Sequence, residues 1–553
     1  MNPLLSRDFL IPFDLIQAEH VDTGIREALA QAETELAELT NFTGQRTYAN
    51  TFETLDDLTE KLSRAVTIAG HLMGVKNSPE LRTAYTVKAF AETPEAKSLT
   101  GVRKRHVEKT MKEFIRAGAE LPPEKKTRVE AINVELSGLQ NKFSNNVLDA
   151  TNAFELILTD EKDVSGLPES LRQQAKANAA SKGKEGYRFT LQIPFYQPFM
   201  QYADKRDLRQ TMYEASINRA ASGEFDNREN MAKILELRQE LASLLGYKDF
   251  ADYRLELYMM RSGDAALKFE HDLEQTTLPY WHKEIEELKT FAKENLGLGR
   301  LEPWDVSYVT EKLRKAKYDL DDEMLRPYFP LDNVLSGLFE ISKRLFGITV
   351  TERQNEKVWH PEVKFYDIHD EHGQHLGSFY ADWFPRESKR AGAWMNRFIT
   401  GEPRADGSYS PHLGLMCGNF TPPQNDKPAL LTHREVETTF HEFGHLLHHC
   451  LSKVEVADRA GTNVAWDFVE LPSQIMENWT WEREALNLFA RHYQTSETIP
   501  DELYQKMMAS KTFMGATLQM RQLSFGTVDL NLHTLYDPEK DGDVITFGNR
   551  VME

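Results

Sequence analysis

Four histidines and one glutamate lie close together in the sequence TTFHEFGHLLHHC, residues 438–450. On an α-helix, residues four positions apart lie on the same face, one turn apart. His441 and His445 have this spacing, and Glu442 follows the first of them, rotated by about 100° around the helix axis. This is the H-E-x-x-H pattern, in which two histidines bind a metal ion and the glutamate takes a proton from water. We therefore predict that His441 and His445 are metal ligands and that Glu442 is a general base.

The other two histidines are less suitable as ligands, although His445 and His449 also share a helix face. His441 and His448 would be about 10 Å apart along the axis, whereas the ligands of one zinc ion lie about 2 Å from it. We predict that His448 and His449 pack in the interior or face solvent. A second interpretation combines Glu442 and His445 into the E-x-x-H motif of a carboxylate-bridged di-metal bundle. Such a site needs a second E-x-x-H, and the sequence contains none.

A helix is predicted around these residues, from about residue 433 to about residue 451. Thr432 followed by Glu435 fits a capping box at its N-terminus. The helix has an apolar stripe of Val436, Phe440, Phe443 and Leu447. This stripe predicts that the helix is buried. Gly444 costs about 1 kcal/mol in a helix interior. Its presence predicts the close approach of another backbone or of a substrate.

The third ligand must come from another element, and the following segment contains the acidic candidates Asp467, Glu470 and Glu477. Pro472 suits the first turn of a new helix. Glu470 stands at the start of that helix, after an apolar run that ends at Val469, so we expect its carboxylate to be shielded from water and to need a cation or a donor. Two neutral imidazoles and one carboxylate leave Zn²⁺ with an open position for water. The residues alone leave open whether Glu470 binds a metal or forms a salt bridge at a helix start.

The rest of the chain has mainly the periodicity of helices. The predicted helices cover residues 21–40, 53–73, 104–118, 124–150, 204–221, 227–245, 264–295, 322–346 and 484–534. The predicted strands are 154–159 paired with 187–194, a hairpin of 363–368 and 376–382, and a third strand at 413–420. We predict a mainly α fold with a small antiparallel sheet beside the H-E-x-x-H helix. A soft boundary near 185–205 divides the chain into an N-terminal helical region, 1–190, and a catalytic region, 191–553.

The composition limits the classes of partner and compartment. The 553 residues include 66 Lys and Arg and 86 Asp and Glu, a net charge of −20. This acidity argues against a nucleic acid or an anionic membrane as partner. The sequence has no apolar run of 18 residues and no signal-peptide pattern. Because only Cys417 and Cys450 are present, a disulfide-framed secreted protein is not expected, and we predict a cytoplasmic location.

HEFGH followed by FVELPSQIMENW, in which Glu470 lies 29 residues after His441, resembles the thimet oligopeptidase and oligopeptidase A family of zinc metallopeptidases. The segments FSNNVLDATNAFEL, YADWFPRESKRAGAW, CGNFTPP and MRQLSFGTVDLNLH resemble that family too. The resemblance spans nearly the whole chain and is closest to the bacterial oligopeptidase A branch. It implies one Zn²⁺ bound by His441, His445 and Glu470, with Glu442 as general base. It also implies that Glu437 hydrogen-bonds a ligand histidine.

The fold implied by the resemblance is a helical ellipsoid split by a deep channel, which admits short unfolded peptides and excludes folded proteins. We therefore predict a monomeric, zinc-dependent endopeptidase that cleaves internal bonds of short peptides. Cobalt or manganese would also suit the ligand set. The family's C-terminal H-x-x-x-Y and G-Y-Y-x-Y-like elements are not found, so we expect a chain truncated at its C-terminus. This leaves a zinc-stabilised peptide-binding protein with little turnover as an alternative, and a helical scaffold with incidental histidines as a third interpretation.

We also interpret the strand at 413–420 as a sheet edge that pairs with the substrate backbone, since it directly precedes the histidine-rich segment. Backbone pairing of this kind depends little on side chains, which would give a loose sequence preference.

Overall fold

The computed structural model describes residues 2–6, 10–12, 15, 18–42, 44–55, 94–386, 389–390, 392–404, 407–423 and 427–552. This part of the chain is mainly α-helical. Its first helices are α1 (Ala18–Asn41), α2 (Pro94–Ser98), α3 (Gly101–Arg116), α4 (Pro123–Ala153), α5 (Glu169–Ser181), α6 (Ile193–Tyr202), α7 (Arg206–Ile217), α8 (Arg228–Leu244), α9 (Phe250–Leu255) and α10 (Gly263–Leu296). The later ones are α11 (Pro303–Tyr318), α12 (Asp322–Leu325), α13 (Leu331–Phe346), α14 (His433–Cys450), α15 (Glu470–Glu477), α16 (Arg483–Phe489), α17 (Asp501–Ser510), α18 (Gly515–Thr534), α19 (Pro538–Asp541) and α20 (Val544–Met552). Among these described helices, none has the length and apolarity needed to cross a bilayer.

Most predicted helices are confirmed, with their ends shifted by a few residues. The predicted helix at 53–73 lies mostly outside the described residues. The two long predictions, 322–346 and 484–534, are wrong in their continuity, because each is divided into shorter helices. Pro327 and Pro330 separate α12 from α13, and Pro500 stands directly before α17. Proline lacks an N–H group and disfavours a helical residue before it, so it interrupts a pattern that periodicity alone reads as one helix.

The strands of the described residues form two sheets. β1 (Leu156–Leu158) and β2 (Tyr187–Phe189) pair antiparallel, which confirms that the strands predicted at 154–159 and 187–194 pair. The second strand is shorter than predicted, because α6 begins at Ile193. The second sheet contains β3 (Thr349–Glu352), β4 (Lys364–His369), β5 (His375–Asp382), β6 (Trp394–Ile399) and β7 (His412–Cys417). Its strand order is β3-β4-β5-β7-β6, and the predicted hairpin is confirmed as β4 and β5.

Two predictions about this sheet are wrong. It is not purely antiparallel, because β5 and β7 run parallel, with Gly377 opposite His412. The strand predicted at 413–420 is not an edge, because β7 lies between β5 and β6. The edge beside it is β6, which pairs antiparallel with β7. Its sequence, WMNRFI, mixes apolar, polar and charged residues without strict alternation and was therefore missed.

The helix α14 lies against this sheet and inside the largest apolar cluster of the described residues. Its predicted stripe is buried: Val436, Phe440 and Phe443 are 0% exposed and Leu447 is 5% exposed. On the sheet side, a Cβ atom at Gly414 of β7 would come within 2.6 Å of Leu446 Cδ1, so the helix packs directly on the strand backbone. Close packing on both sides fixes the position of every side chain that α14 presents to the remaining, open side.

Candidate metal centre

The N-terminus of α14 has the predicted capping box. Thr432 Oγ1 accepts a hydrogen bond from Glu435 N at 3.2 Å, and Glu435 Oε2 accepts one from Thr432 N at 2.7 Å. Glu435 Oε1 also accepts from Thr421 N at 2.7 Å, which ties the segment after β7 to the start of the helix. The sheet and the helix are therefore held together at the end where the helix begins.

Gly444 is the point at which a second helix, α15, crosses α14. A Cβ atom at this position would lie 2.5 Å from Ser473 Cα and 2.8 Å from Pro472 O. Only glycine leaves room for a backbone at these distances, so the predicted close approach is confirmed. The crossing brings the first residue of α15, Glu470, over the face of α14 that carries the two histidines of the motif.

Three side-chain atoms converge at this crossing. Glu470 Oε2 lies 3.1 Å from His441 Nε2 and 3.1 Å from His445 Nε2. The three candidate ligand atoms lie within 4.8 Å of one another. Ligands about 2 Å from a tetrahedral zinc ion are separated by about 3.3 Å. The arrangement therefore has the size of a zinc site, and the residues that the sequence assigned to it are brought together.

The surroundings of Glu470 differ from the expectation. Its side chain is 48% exposed, so it is not shielded from water. The preceding apolar run does not cover it, because Trp466 is itself 69% exposed and Phe468 36% exposed. Glu470 Oε2 also accepts a hydrogen bond from Ser473 Oγ at 3.0 Å. This bond, rather than burial, fixes the orientation of the carboxylate.

The ring of His441 is oriented by a carboxylate behind it. Its Nδ1 lies 2.7 Å from Glu477 Oε1, and since a carboxylate only accepts, Nδ1 carries the hydrogen and Nε2 presents its lone pair to the site. Burial lowers the pKa of His441, but the hydrogen bond to Glu477 and the charges of Glu442 and Glu470 raise that pKa by more. This rise is specific to His441, because burial and the charge of His441 lower the pKa of His445 by more than Glu470 raises it.

Two family models match this chain. Residues 199–552 match the model of peptidase family M3, and residues 25–87 match the Neurolysin/Thimet oligopeptidase N-terminal domain. The chain belongs to peptidase family M3. It is 41% identical to Oligopeptidase A of Escherichia coli (strain K12), across 98% of this chain and 84% of that protein. The resemblance noted from the sequence is confirmed.

Other relatives of this M3 chain come from bacteria and plants. It is 40% identical to Oligopeptidase A of Salmonella typhimurium, across 98% of this chain and 84% of that protein. It is also 40% identical to the probable cytosolic oligopeptidase A of Arabidopsis thaliana, across 97% of this chain and 82% of that protein. Among solved structures, Pz peptidase A with inhibitor 2 matches with a TM-score of 0.54 at 15% identity, across 96% of this chain and 79% of that one. That structural match shows a shared fold.

The role predicted for Glu437 falls to a different carboxylate in the M3 chain. Glu437 Oε1 accepts a hydrogen bond from Trp481 Nε1 at 2.8 Å, and Oε2 lies 3.8 Å from His433 Nδ1. Helical side chains lean toward the N-terminus, so Glu437 leans away from His441. Glu477 holds that ring instead. The signal available in the sequence was the seven-residue spacing of Glu470 and Glu477, which places both on one face of α15.

Replacement of Glu477 by glutamine should weaken metal binding. The amide oxygen of glutamine still accepts from His441 Nδ1, but without the negative charge that makes the ring a stronger ligand. We expect metal affinity to fall by about 10- to 100-fold, measured by competition with a chelator of known affinity. The matched control is Glu484→Gln, a change of the same charge at an exposed position in α16. Equal affinities for the two variants would contradict the role given to Glu477.

Glu442 is the buried acid of the site. Its side chain is 5% exposed, and its Oε2 atom has no hydrogen-bond partner among the described residues. Burial raises its pKa, His441 lowers it, Glu470 raises it and the Met395 backbone N–H lowers it, with a net rise to about 7. A carboxyl group with this pKa gains and loses a proton readily near neutral pH.

The remaining histidines of α14 stand outside the converging group. His449 is 0% exposed, and its Nε2 donates to Ile399 O of β6 at 3.0 Å. Burial lowers the pKa of His449 to about 3, so the ring stays neutral and the bond to β6 persists. His448 is half-buried, and burial lowers its pKa as well. His449 therefore packs and fastens the helix to the edge strand.

Proposed function

We propose that this M3 peptidase is a zinc-dependent endopeptidase that hydrolyses internal bonds of short, unstructured peptides. Family membership supports a peptidase function. The observation that carries the proposal is the convergence of His441 Nε2, His445 Nε2 and Glu470 Oε2 beside the buried carboxyl of Glu442. The site belongs to the class in which two imidazoles and one carboxylate bind zinc and leave a position open.

His441, His445 and Glu470 would hold the ion. Glu470 Oε2 lies 3.1 Å from the Nε2 atom of each histidine, which suits a tetrahedral ion, and the His441 tautomer presents Nε2 as a ligand. When bound, zinc supplies a Lewis acid that polarises the scissile carbonyl and makes water more acidic. Two neutral ligands and one anionic ligand leave a net positive charge, which favours the negative charge that develops on the carbonyl oxygen.

Glu442 would move the proton. In its carboxylate form it accepts a proton from the attacking water, and in its acid form it donates that proton to the leaving amine nitrogen. The raised pKa of Glu442 suits both proton transfers. A stronger acid would accept the proton from water too poorly, and a weaker acid would donate it to the amine too poorly. Glu477 keeps the hydrogen of His441 on Nδ1 throughout, so that ring takes no part in the transfer.

This role of Glu442 predicts a direction for the pH dependence. Only the carboxylate form accepts a proton, so kcat/KM should fall as pH drops through the pKa of Glu442. That pKa is raised to about 7 without a cation, and a bound divalent ion would lower it from there. The midpoint of the acid limb should therefore lie at or below about pH 7, in a profile of kcat/KM from pH 4 to 9. A midpoint clearly above 7 would assign the limb to another group.

The edge strand β6 would pair with the substrate backbone. It is the outer strand beside α14, and its Met395 N–H faces the Glu442 carboxylate. An extended peptide added to this edge would lie next to the general base. N-methylation of single peptide bonds near the scissile bond should raise KM by about 10-fold wherever it removes one or two bonds to β6. Methylation at the far end of the same peptide is the control. If KM were the same for every methylated position, the pairing with β6 would be contradicted.

The proposed function is tested by metal analysis combined with cleavage of an internally quenched fluorescent peptide. We expect one zinc ion per chain, cleavage at an internal bond, loss of activity with a chelator and recovery when zinc is restored. Absence of stoichiometric metal, or cleavage that resists the chelator, would refute the proposal. Stoichiometric zinc without any cleavage would favour a peptide-binding protein instead.

We further propose a monomer located in the cytoplasm, with an N-terminal helical region at 1–190 and a catalytic region at 191–553. One relative is named a probable cytosolic oligopeptidase A, which supports the location. The acidic composition supports short peptides rather than nucleic acids or membranes as partners. Light scattering tests the monomer, and a stable dimer at micromolar concentration would contradict it.

A further inference from the structure

A cavity of about 260 Å³ lies between α3 and the segments that precede α10 and α15. Its charged lining consists of Arg105, Glu108, Lys109, Lys112 and Arg261. We call it the basic pocket, since four of these five side chains are cationic. Its apolar wall includes Met259 and Ala465. A concentration of positive charge is unexpected in a chain whose net charge is −20.

In the described part of the chain, three of the four cations have no carboxylate at ion-pair distance. Lys112 Nζ lies 2.7 Å from Glu256 Oε1. Within the described residues, no carboxylate lies at ion-pair distance from Arg105, Lys109 or Arg261. The one acid of the lining, Glu108, has Lys104 at 3.8 Å.

The cations of the basic pocket repel one another, and nearby acids compensate for this only in part. Lys109 is half-buried. Burial first, and then the charges of Arg105, Arg459 and Arg261, lower its pKa by more than the charge of Glu113 raises it. Charges of one sign around a concave, partly apolar surface create a strong local potential. An anion is the partner that this arrangement lacks.

The basic pocket is joined to the metal centre through one loop. Asp467 accepts hydrogen bonds from Met259 N at 2.9 Å and from Met260 N at 3.0 Å. Ala465, which lines the pocket, precedes Asp467 by two residues, and Glu470 follows it by three. The wall of the pocket is therefore continuous with the segment that positions Glu470. Whatever occupies the pocket also contacts the segment that leads to the metal centre.

We propose that the basic pocket binds a carboxylate or phosphate anion through Arg105, Lys109 and Arg261. Guanidinium and ammonium groups are the usual protein partners of both anions. The anion has two sources, the C-terminal carboxylate of a bound peptide or free inorganic phosphate. The first source rests on the proposed peptidase function, since it requires a peptide to extend from the metal centre to the pocket. The second source is independent of that function.

Binding measurements on the full-length, zinc-loaded Glu442→Gln protein distinguish the two sources without depending on turnover. The first probe is a pair of fluorescent peptides that differ only in a C-terminal carboxylate or amide, followed by anisotropy. The second is inorganic phosphate, followed by calorimetry. Each is repeated with Lys109→Gln and with Arg105→Gln. The control is Lys289→Gln, which removes the same charge from an exposed position on α10.

For a peptide source we expect the carboxylate peptide to bind about 10-fold tighter than the amide, a difference that Lys109→Gln and Arg105→Gln abolish and Lys289→Gln keeps. For a phosphate source the two peptides bind alike, while phosphate binds saturably and each pocket variant weakens it by about 10-fold. Higher ionic strength should weaken either interaction. The proposal is overturned if neither probe responds to Lys109→Gln or Arg105→Gln. The cleavage assay for the proposed function is unaffected by that result.

Discussion

Replacement of Glu442 by glutamine is expected to lower kcat by about 10²- to 10⁴-fold while one zinc ion per chain is retained. Glutamine has the same shape as glutamate but cannot accept a proton from water or pass one to the leaving nitrogen. The proposed ligand atoms belong to His441, His445 and Glu470, so the ion itself should remain bound. The measurements are kcat on a fluorescent peptide and the metal content of the same sample.

The matched control is Glu437→Gln, on the same helix. The carboxylate of Glu437 contacts Trp481 rather than a ligand histidine, and an amide oxygen still accepts that hydrogen bond. We expect this variant to keep kcat within about three-fold of the unmodified protein, because the bond to Trp481 is kept and Glu437 is not one of the candidate ligands. A Glu442→Gln protein with nearly full activity would remove the proton-transfer role. A variant that loses its zinc would show that Glu442 acts on the ion instead.

The second large effect is expected for Gly444→Ala. The added methyl group would lie 2.5 Å from Ser473 Cα, and a backbone atom cannot move aside as a flexible side chain does. We expect a loss of about 1–3 kcal/mol in the free energy of unfolding. We also expect weaker zinc binding, because α15 carries Glu470 and must shift away from His441 and His445. Denaturant unfolding and chelator competition measure the two effects.

Gly138→Ala is the control for this substitution. Gly138 lies inside α4, and a Cβ atom there would meet nothing within 4 Å. Since alanine is the better helix former, this change should stabilise the protein by about 0.5–1 kcal/mol and leave zinc affinity unchanged. If Gly444→Ala behaved like Gly138→Ala, the close crossing of α14 and α15 would not describe the protein.

Local spacing was sufficient to predict the helix of the site. His441 and His445 lie on one helix, and the capping box at Thr432 marks its start, so both are visible within a short stretch of sequence. Glu470 could be proposed as a candidate because it follows the helix closely in the chain. The resemblance to the family, and not the spacing, selected it from the three acidic candidates. The Glu437 prediction placed the carboxylate one turn away on the same helix, whereas Glu477 reaches His441 from the helix that crosses it.

The sheet was harder to predict because its pairings join distant segments. The parallel contact of β5 with β7 links Gly377 to His412, and no local pattern records which strand lies beside which. β6 was missed because its side chains meet both the helix and solvent, which obscures alternation. The prediction placed the sheet edge at β7, because this strand directly precedes the histidine-rich segment in the sequence. The edge strand is β6. The basic pocket could not be predicted either, because its cations come from two segments that are far apart in the sequence, α3 and the segment before α10.

The two contacts between β6 and α14 have a consequence for where a bound peptide would be cleaved. The Met395 amide faces Glu442, and the Ile399 carbonyl holds His449, so strand and helix form one rigid frame. The position of a peptide paired with β6 would be determined by its main-chain groups, which are the same in every residue, and not by its side chains. The distance from its cleavable bond to the proton acceptor would then be a property of the frame, the same for every peptide that enters.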